Sequence, residues 1–334
     1  LSLADAIPHA DRIGLFSGWS GITLVAARVA RILGAAEVHE RAAHLMRRIL
    51  DEPRDDAGFD LIAGRAGAII ALLALHELLD DVAPFDAAVC LGDELIRSAE
   101  RATAEAGCSW RSAAYPRWRN LTGYSHGTAG AAHALLELFA ATREARFLDM
   151  ARNAFAYERH WFDSEAGNWP DLRETTRRRG RPALPPKFVS FWCHGAPGIA
   201  LSRLRAFEIL ADPALEAEAR IALGTTRRTL EDALRSGLGN FSLCHGIAGN
   251  AEVLSCGCQL PGIDAADDHE RAVEAARLGQ RLYDTTGQPW PCGTHAGETP
   301  NLMLGLAGIG RFYLRLAEPS LPSMLVLRPG EATR

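Results

Sequence analysis

Six times in this chain a Gly-x-x-Gly step opens an apolar stretch, and no other feature limits its fold as strongly. The steps are Gly18-Trp19-Ser20-Gly21, Gly64-Arg65-Ala66-Gly67, Gly127-Thr128-Ala129-Gly130, Gly195-Ala196-Pro197-Gly198, Gly246-Ile247-Ala248-Gly249 and Gly305-Leu306-Ala307-Gly308. Apolar residues follow at helical spacing: Ile22, Val25, Val29, Ile32 and Leu33 after the first, and an unbroken run over 68–73 after the second. A helix apolar nearly all round has to be buried on every side. Five of the apolar stretches precede a more charged amphipathic one, over 38–50, 87–104, 145–159, 213–234 and 269–283. The first glycines stand at 18, 64, 127, 195, 246 and 305, so each interval holds two helices and their loops. Such a period marks a repeat architecture. Buried helices alternating with half-exposed ones predict an all-α fold of two concentric layers, an α/α toroid, with the Gly-led ends on one face. Small residues there permit close backbone approach, and the helix N-termini are expected to offer N–H groups to a ligand.

At 48% hydrophobic and 23% charged residues, the chain has a substantial core. A net charge of -5 argues against nucleic acid as the main partner. The longest apolar run, 61–79, is interrupted by Arg65, His76 and Glu77, so no membrane span is expected. The first residues show no basic-plus-apolar pattern of the kind a signal peptide carries. Seven cysteines without secreted-scaffold spacing suggest reduced thiols in a cytosolic setting. The first residue is Leu1, and the expectation is a fragment or a processed chain.

The Gly-led turns carry the residues capable of chemistry. Cys193-His194 precedes Gly195, Cys244-His245 precedes Gly246, and Ser125-His126 precedes Gly127. Cys193, Cys244 and His245 offer two thiolates and one imidazole, which is what a Zn²⁺ site with an open fourth position needs. His194 competes for a ligand role or lines the pocket; as a fourth ligand it would make the site closed and structural. His126, with no cysteine beside it, is poised to give or take a proton. Asp60, four residues before Gly64, is explained equally well as a catalytic acid and as a cap. Cys256-Gly257-Cys258 with Cys292-Gly293-Thr294-His295 forms a second soft-donor set able to take a metal. Two loops stand apart: 169–187, which contains Arg177-Arg178-Arg179-Gly180-Arg181 and could dock an acidic peptide, and the acidic segment 259–268.

These residues resemble a known family, the lanthionine synthetase C-like cyclases, and within it the C-terminal cyclase domain of class II lanthipeptide synthetases. The resemblance rests on Gly14-Leu15-Phe16-Ser17-Gly18, Phe59-Asp60-Leu61-Ile62-Ala63-Gly64, Gly123-Tyr124-Ser125-His126-Gly127, Trp192-Cys193-His194-Gly195, Leu243-Cys244-His245-Gly246 and Pro300-Asn301-Leu302-Met303-Leu304-Gly305, and spans about 14–319. It implies one cyclase domain over 1–334, an α/α toroid of about seven inner and seven outer helices around one central Zn²⁺. It implies Cys193, Cys244 and His245 as zinc ligands, with water or a substrate thiol as the fourth. It places His126 as the acid that protonates an enolate, with Asp60 as its partner or as a base. The reaction it implies is addition of cysteine thiols to dehydroalanine or dehydrobutyrine, closing (methyl)lanthionine rings. The partners it implies are a dehydrated precursor peptide with its leader and an upstream dehydratase domain of the same polypeptide, in the bacterial cytoplasm. The alternatives are a non-catalytic zinc- and thiol-binding protein on the same fold, another zinc enzyme such as a hydrolase, and a purely structural zinc site.

Overall fold

A computed structural model describes residues 4–54, 56–101, 106–112, 119–174, 185, 187–258, 260, 262, 265–294 and 297–331. Among them, Gly-led helices alternate with companions: α1 (Trp19–Leu33), α2 (Ala36–Asp51), α3 (Arg65–Leu79), α4 (Ala83–Ser98), α5 (Thr128–Thr142), α6 (Ala145–Trp161), α7 (Ala196–Leu210), α8 (Pro213–Ser236), α9 (Ile247–Gly257), α10 (Ala265–Gly279) and α11 (Leu306–Ala317). The strands among these residues are limited to two short antiparallel ribbons, β1 (Glu100–Arg101) with β2 (Cys108–Ser109) and β3 (Pro170–Asp171) with β4 (Lys187–Phe188). The described residues hold six Gly-led helices and five companions, against the seven of each that the resemblance implies. None of their helices is long and apolar enough to cross a membrane.

The chain forms two compact units. One comprises Leu1–Trp161, Leu172–Pro186 and Leu327–Arg334, the other Phe162–Asp171 and Lys187–Val326. In the first, α1 packs on α2, α3 on α4 and α5 on α6, with α1, α3 and α5 side by side. In the second, α7 packs on α8 and α9 on α10, with α9 between α7 and α11. Residues 66–75 of α3 are buried without a break, as their unbroken apolar sequence requires, and residues 128–138 of α5 are buried too, with Thr128, His133 and Glu137 among them. Companion α2 buries only Ala42, Leu45, Met46 and Ile49, one stripe at i, i+3, i+4 and i+7. Helix α1 differs from expectation. Its Val25, Val29, Ile32 and Leu33 are exposed, Ile32 to 78%. The face turned inward is instead Trp19, Thr23, Leu24, Ala27 and Ala30, because α2 and α3 cover that side.

The two ends of each helical pair are built differently. Helices α1, α3, α5 and α7 end, where they turn into their companions, on a left-handed residue, Gly34, Asp80, Arg143 or Ala211, whose N–H bonds back to the carbonyl of Ala30, His76, Phe139 or Phe207. At the opposite ends, the loop before each Gly-led helix folds back over the first helical turn. Arg65 N donates to Gly58 O (2.9 Å), Thr128 N to Leu121 O (2.9 Å), Ile247 N to Asn240 O (2.8 Å) and Leu306 N to Thr299 O (2.8 Å). In α7 the Asn168 side chain does this, accepting from Ala196 N at 2.9 Å. The expectation that these N-termini offer N–H groups to a ligand is therefore corrected: the protein's own loops take those donors. The same fold-back explains the spacing of the glycines. A Cβ at Gly21, Gly67, Gly130, Gly249 or Gly308 would overlap the carbonyl oxygen of Leu15, Leu61, Tyr124, Leu243 or Leu302.

Gly195 carries a further constraint. Its φ of 86° with ψ of −161° is a conformation that side chains rarely adopt, and a Cβ there would overlap the Val189 carbonyl oxygen. Gly195→Ala is expected to lower unfolding free energy by about 1–3 kcal/mol, read as a lower denaturant midpoint. Gly310→Ala, in the exposed interior of α11 where a Cβ meets no atom within 4 Å, is the control and is expected to unfold at or slightly above the parent midpoint.

Candidate functional site

Each functional side chain sits in the short loop just before a Gly-led helix, and neighbouring loops are joined within each unit. In the first unit Phe16 N donates to Ile62 O (2.9 Å) and Leu61 N to Ser125 O (3.0 Å). In the second, Cys244 N donates to Met303 O (2.9 Å), and the Asn250 amide donates to Ser190 O (3.1 Å). Residues far apart in sequence are thus held by backbone rather than by side-chain packing alone.

The second unit brings Cys193, Cys244 and His245 together, one donor atom from each lying within 4.8 Å of the others. All three are partly exposed. A hydrogen bond from the Cys244 thiol is the main reason that the Cys193 thiol is held well below its ordinary acidity range; burial opposes this, and His245 and the charge of His194 add to it. Cys193 is thereby predisposed to carry a negative sulfur. His194 is buried, 2% exposed, and among the described residues it is not one of the converging donors. The His245 ring lies 5.4 Å from Phe191, and its Nε2 is 3.0 Å from the Gly293 carbonyl oxygen. Ser242 Oγ accepts from His245 N at 3.3 Å, closing the turn that allows Cys244 and His245 to point to one place.

The first unit brings Asp60 and His126 together. Asp60 Oδ2 accepts from His126 Nδ1 at 2.7 Å. Its Oδ1 accepts from the backbone N–H groups of Ile62, Ala63 and Gly64 at 3.0, 2.9 and 3.2 Å. The carboxylate therefore does both things its sequence position allows: one oxygen caps the turn and the other orients the histidine. A carboxylate bond at Nδ1 leaves Nε2 as the nitrogen that exchanges a proton.

The second soft-donor set does not assemble among the described residues. Cys256 and Cys258 end α9, where burial pushes the Cys258 thiol up. Cys292 is buried beside the Gly293 carbonyl that meets His245, and His295 lies outside the described residues. The arginine run at 177–181 and part of the acidic segment 259–268 also lie outside them. Sequence reasoning missed Gly293, because a backbone carbonyl leaves no side-chain signature.

Alternating apolar and amphipathic helices with a two-thiol, one-imidazole cluster on the Gly-led loops define a class: all-α proteins of the α/α-toroid type with a soft-donor centre. The family profile described as Lanthionine synthetase C-like protein matches residues 2–326, and the chain belongs to that family. Among solved structures, nisin cyclase is similar at 18% identity, with a TM-score of 0.66 over 92% of this chain and 77% of that one. An alpha-1,6-mannanase of Salegentibacter sp. HEL1_6 is similar at 13% identity and a TM-score of 0.56, over 99% of this chain and 96% of that one. A GH76 alpha-mannanase of Bacteroides thetaiotaomicron gives 12%, 0.57, 90% and 85% in the same terms. At such identities these likenesses establish the α/α-toroid fold and nothing finer.

Proposed function

We propose that this protein is a zinc-dependent peptide cyclase that forms lanthionine or methyllanthionine thioethers in a dehydrated, ribosomally made precursor peptide. The observation that carries the reading is the convergence of Cys193, Cys244 and His245 in a member of the lanthionine synthetase C-like family. Two thiolates and an imidazole suit Zn²⁺, and three protein donors match a catalytic rather than a structural site. Bound there, Zn²⁺ would bring the pKa of a substrate cysteine thiol toward neutrality and so supply a soft nucleophile.

The chain's own groups supply the rest. Cys193 presents negative sulfur, favoured by the Cys244 hydrogen bond and by the charge of His194. The substrate sulfur bonds to the β-carbon of the dehydro residue, and the alkene electron pair moves to the α-carbon. His126 Nε2 delivers the proton that completes the α-carbon, while Asp60 holds the ring through Nδ1 and stabilises the imidazolium. Asp60 is thus a positioning residue rather than a base. The thiol loses one proton and the α-carbon gains one, so the peptide's mass does not change. A hydrolase would need a carboxylate base beside the metal donors, and among the described residues no Asp or Glu joins them.

The test uses zinc-loaded protein and a synthetic peptide with one dehydroalanine and one cysteine. Loss of the maleimide-reactive thiol at constant peptide mass, faster than without protein and stopped by a chelator, is the expected outcome. Zinc uptake with thiol loss no faster than the protein-free rate would leave the non-catalytic thiol-binding reading in its place.

A further inference from the structure

Resting on the zinc-site reading, we infer that the Gly293 carbonyl is a positioning group for His245, fixing its proton on Nε2 and leaving Nδ1 as the metal-facing nitrogen. A carbonyl oxygen can only accept a hydrogen bond, so an Nε2 held 3.0 Å from Gly293 O has to carry the hydrogen. The other ring nitrogen is then a lone-pair donor, the form a metal requires. Metal-binding histidines are commonly held in this way by a partner on the far nitrogen.

The segment that brings this carbonyl in is anchored at several points. Trp290 packs against Phe241 (5.3 Å), Tyr283 (5.2 Å) and Tyr313 (5.9 Å). The Tyr313 hydroxyl donates to Ala276 O at 2.7 Å, which holds the ring that abuts Trp290. Phe241 N donates to Pro291 O at 2.8 Å, and Gly293 N donates to Leu304 O at 2.8 Å. Leu304 follows Met303, whose carbonyl accepts from Cys244 N at 2.9 Å. The strip therefore braces both ligands of the Cys244-His245 turn, one through backbone and one through the ring. It also has no room for a side chain: a Cβ on Gly293 would stand 2.7 Å from His245 Nε2, 2.9 Å from Ser242 Oγ and 3.0 Å from Leu304 Cδ2. Gly293, which the sequence offers as part of a second donor set, serves the first site instead.

Histidine ¹⁵N labelling and long-range ¹H–¹⁵N correlation on the whole protein, before and after zinc loading, test this directly. The His245 signals are those missing in His245→Gln. The expected pattern is a proton on Nε2 in both states, with Nδ1 shifting on zinc addition. Gly293→Ala is expected to weaken zinc binding about 10–100-fold, measured by competition with a chromophoric chelator. Gly310→Ala, with open space around its Cβ, is expected to match the parent. If the parent takes up zinc with the proton on Nδ1, or if folded Gly293→Ala binds zinc like the parent, the inference fails while the zinc reading stands. A folded parent that takes up no zinc overturns both. Should Gly293→Ala not fold, the tautomer measured in the parent still decides.

Discussion

Cys244→Ala is expected to take the purified protein from one zinc per chain to none and to abolish thioether formation. Three protein donors converge, and removing one sulfur leaves a thiol and an imidazole, fewer protein ligands than a zinc site uses. The loss also makes its neighbour a weaker acid, because the Cys244 hydrogen bond is the largest influence holding Cys193 as a thiolate. Both ligands are therefore weakened by one substitution. Folding should survive, because the Cys244 side chain is small and partly exposed. Elemental analysis gives the metal count, and thermal unfolding supplies a second reading. The parent should be stabilised by added zinc, by about 4 kcal/mol at a thousandfold excess over Kd, while the variant should not respond. A folded Cys244→Ala protein that keeps its zinc would place the metal elsewhere.

His126→Asn is expected to keep zinc and to slow cyclisation by about 10²–10⁴-fold. Asparagine can still donate a hydrogen bond to Asp60 Oδ2, which in the parent receives His126 Nδ1 at 2.7 Å, so the loop should persist. What is lost is the second nitrogen, the one able to hand over a proton. Asp60→Asn separates the two roles of the carboxylate. Its Oδ1 can still accept from Ile62, Ala63 and Gly64, whereas an amide nitrogen facing His126 favours the wrong tautomer. That variant should fold, bind zinc and cyclise slowly. An unchanged cyclisation rate in His126→Asn would refute the acid assignment.

Much of this was legible in the sequence, for identifiable reasons. The Gly-x-x-Gly spacing reports a helix start wrapped by its own loop, so the six helix starts could be read from the glycines. The unbroken apolar run of α3 reports burial on every side. The paired Cys-His-Gly turns report two similar loops, and Cys193 and Cys244 do converge. The rest depended on tertiary choices. In α1 both faces are apolar enough to be buried, and only the position of α2 and α3 decides that Trp19 goes in and Ile32 stays out. That the helix-start N–H groups are already bonded is a matter of loop path, which composition does not encode. The bond from His245 to Gly293 spans 48 residues and uses a carbonyl every residue possesses.

The contrast between the two ends of each helical pair governs where the chain can change length. Before Gly64, Gly127 and Gly246, successive backbone donors are matched to particular carbonyls six or seven residues back, so one inserted residue would shift each donor off its acceptor. At the far ends, a single left-handed residue closes the helix and the next begins within a few positions, at Asp80, Arg143 or Ala211. Among the described residues no backbone hydrogen bond ties those corners to a neighbouring loop. Insertions, tags and grafted epitopes should therefore be accepted at the corners and rejected at the glycines. Relatives that differ in length should differ there as well, with their Asp60, His126 and Cys244 loops kept to the residue.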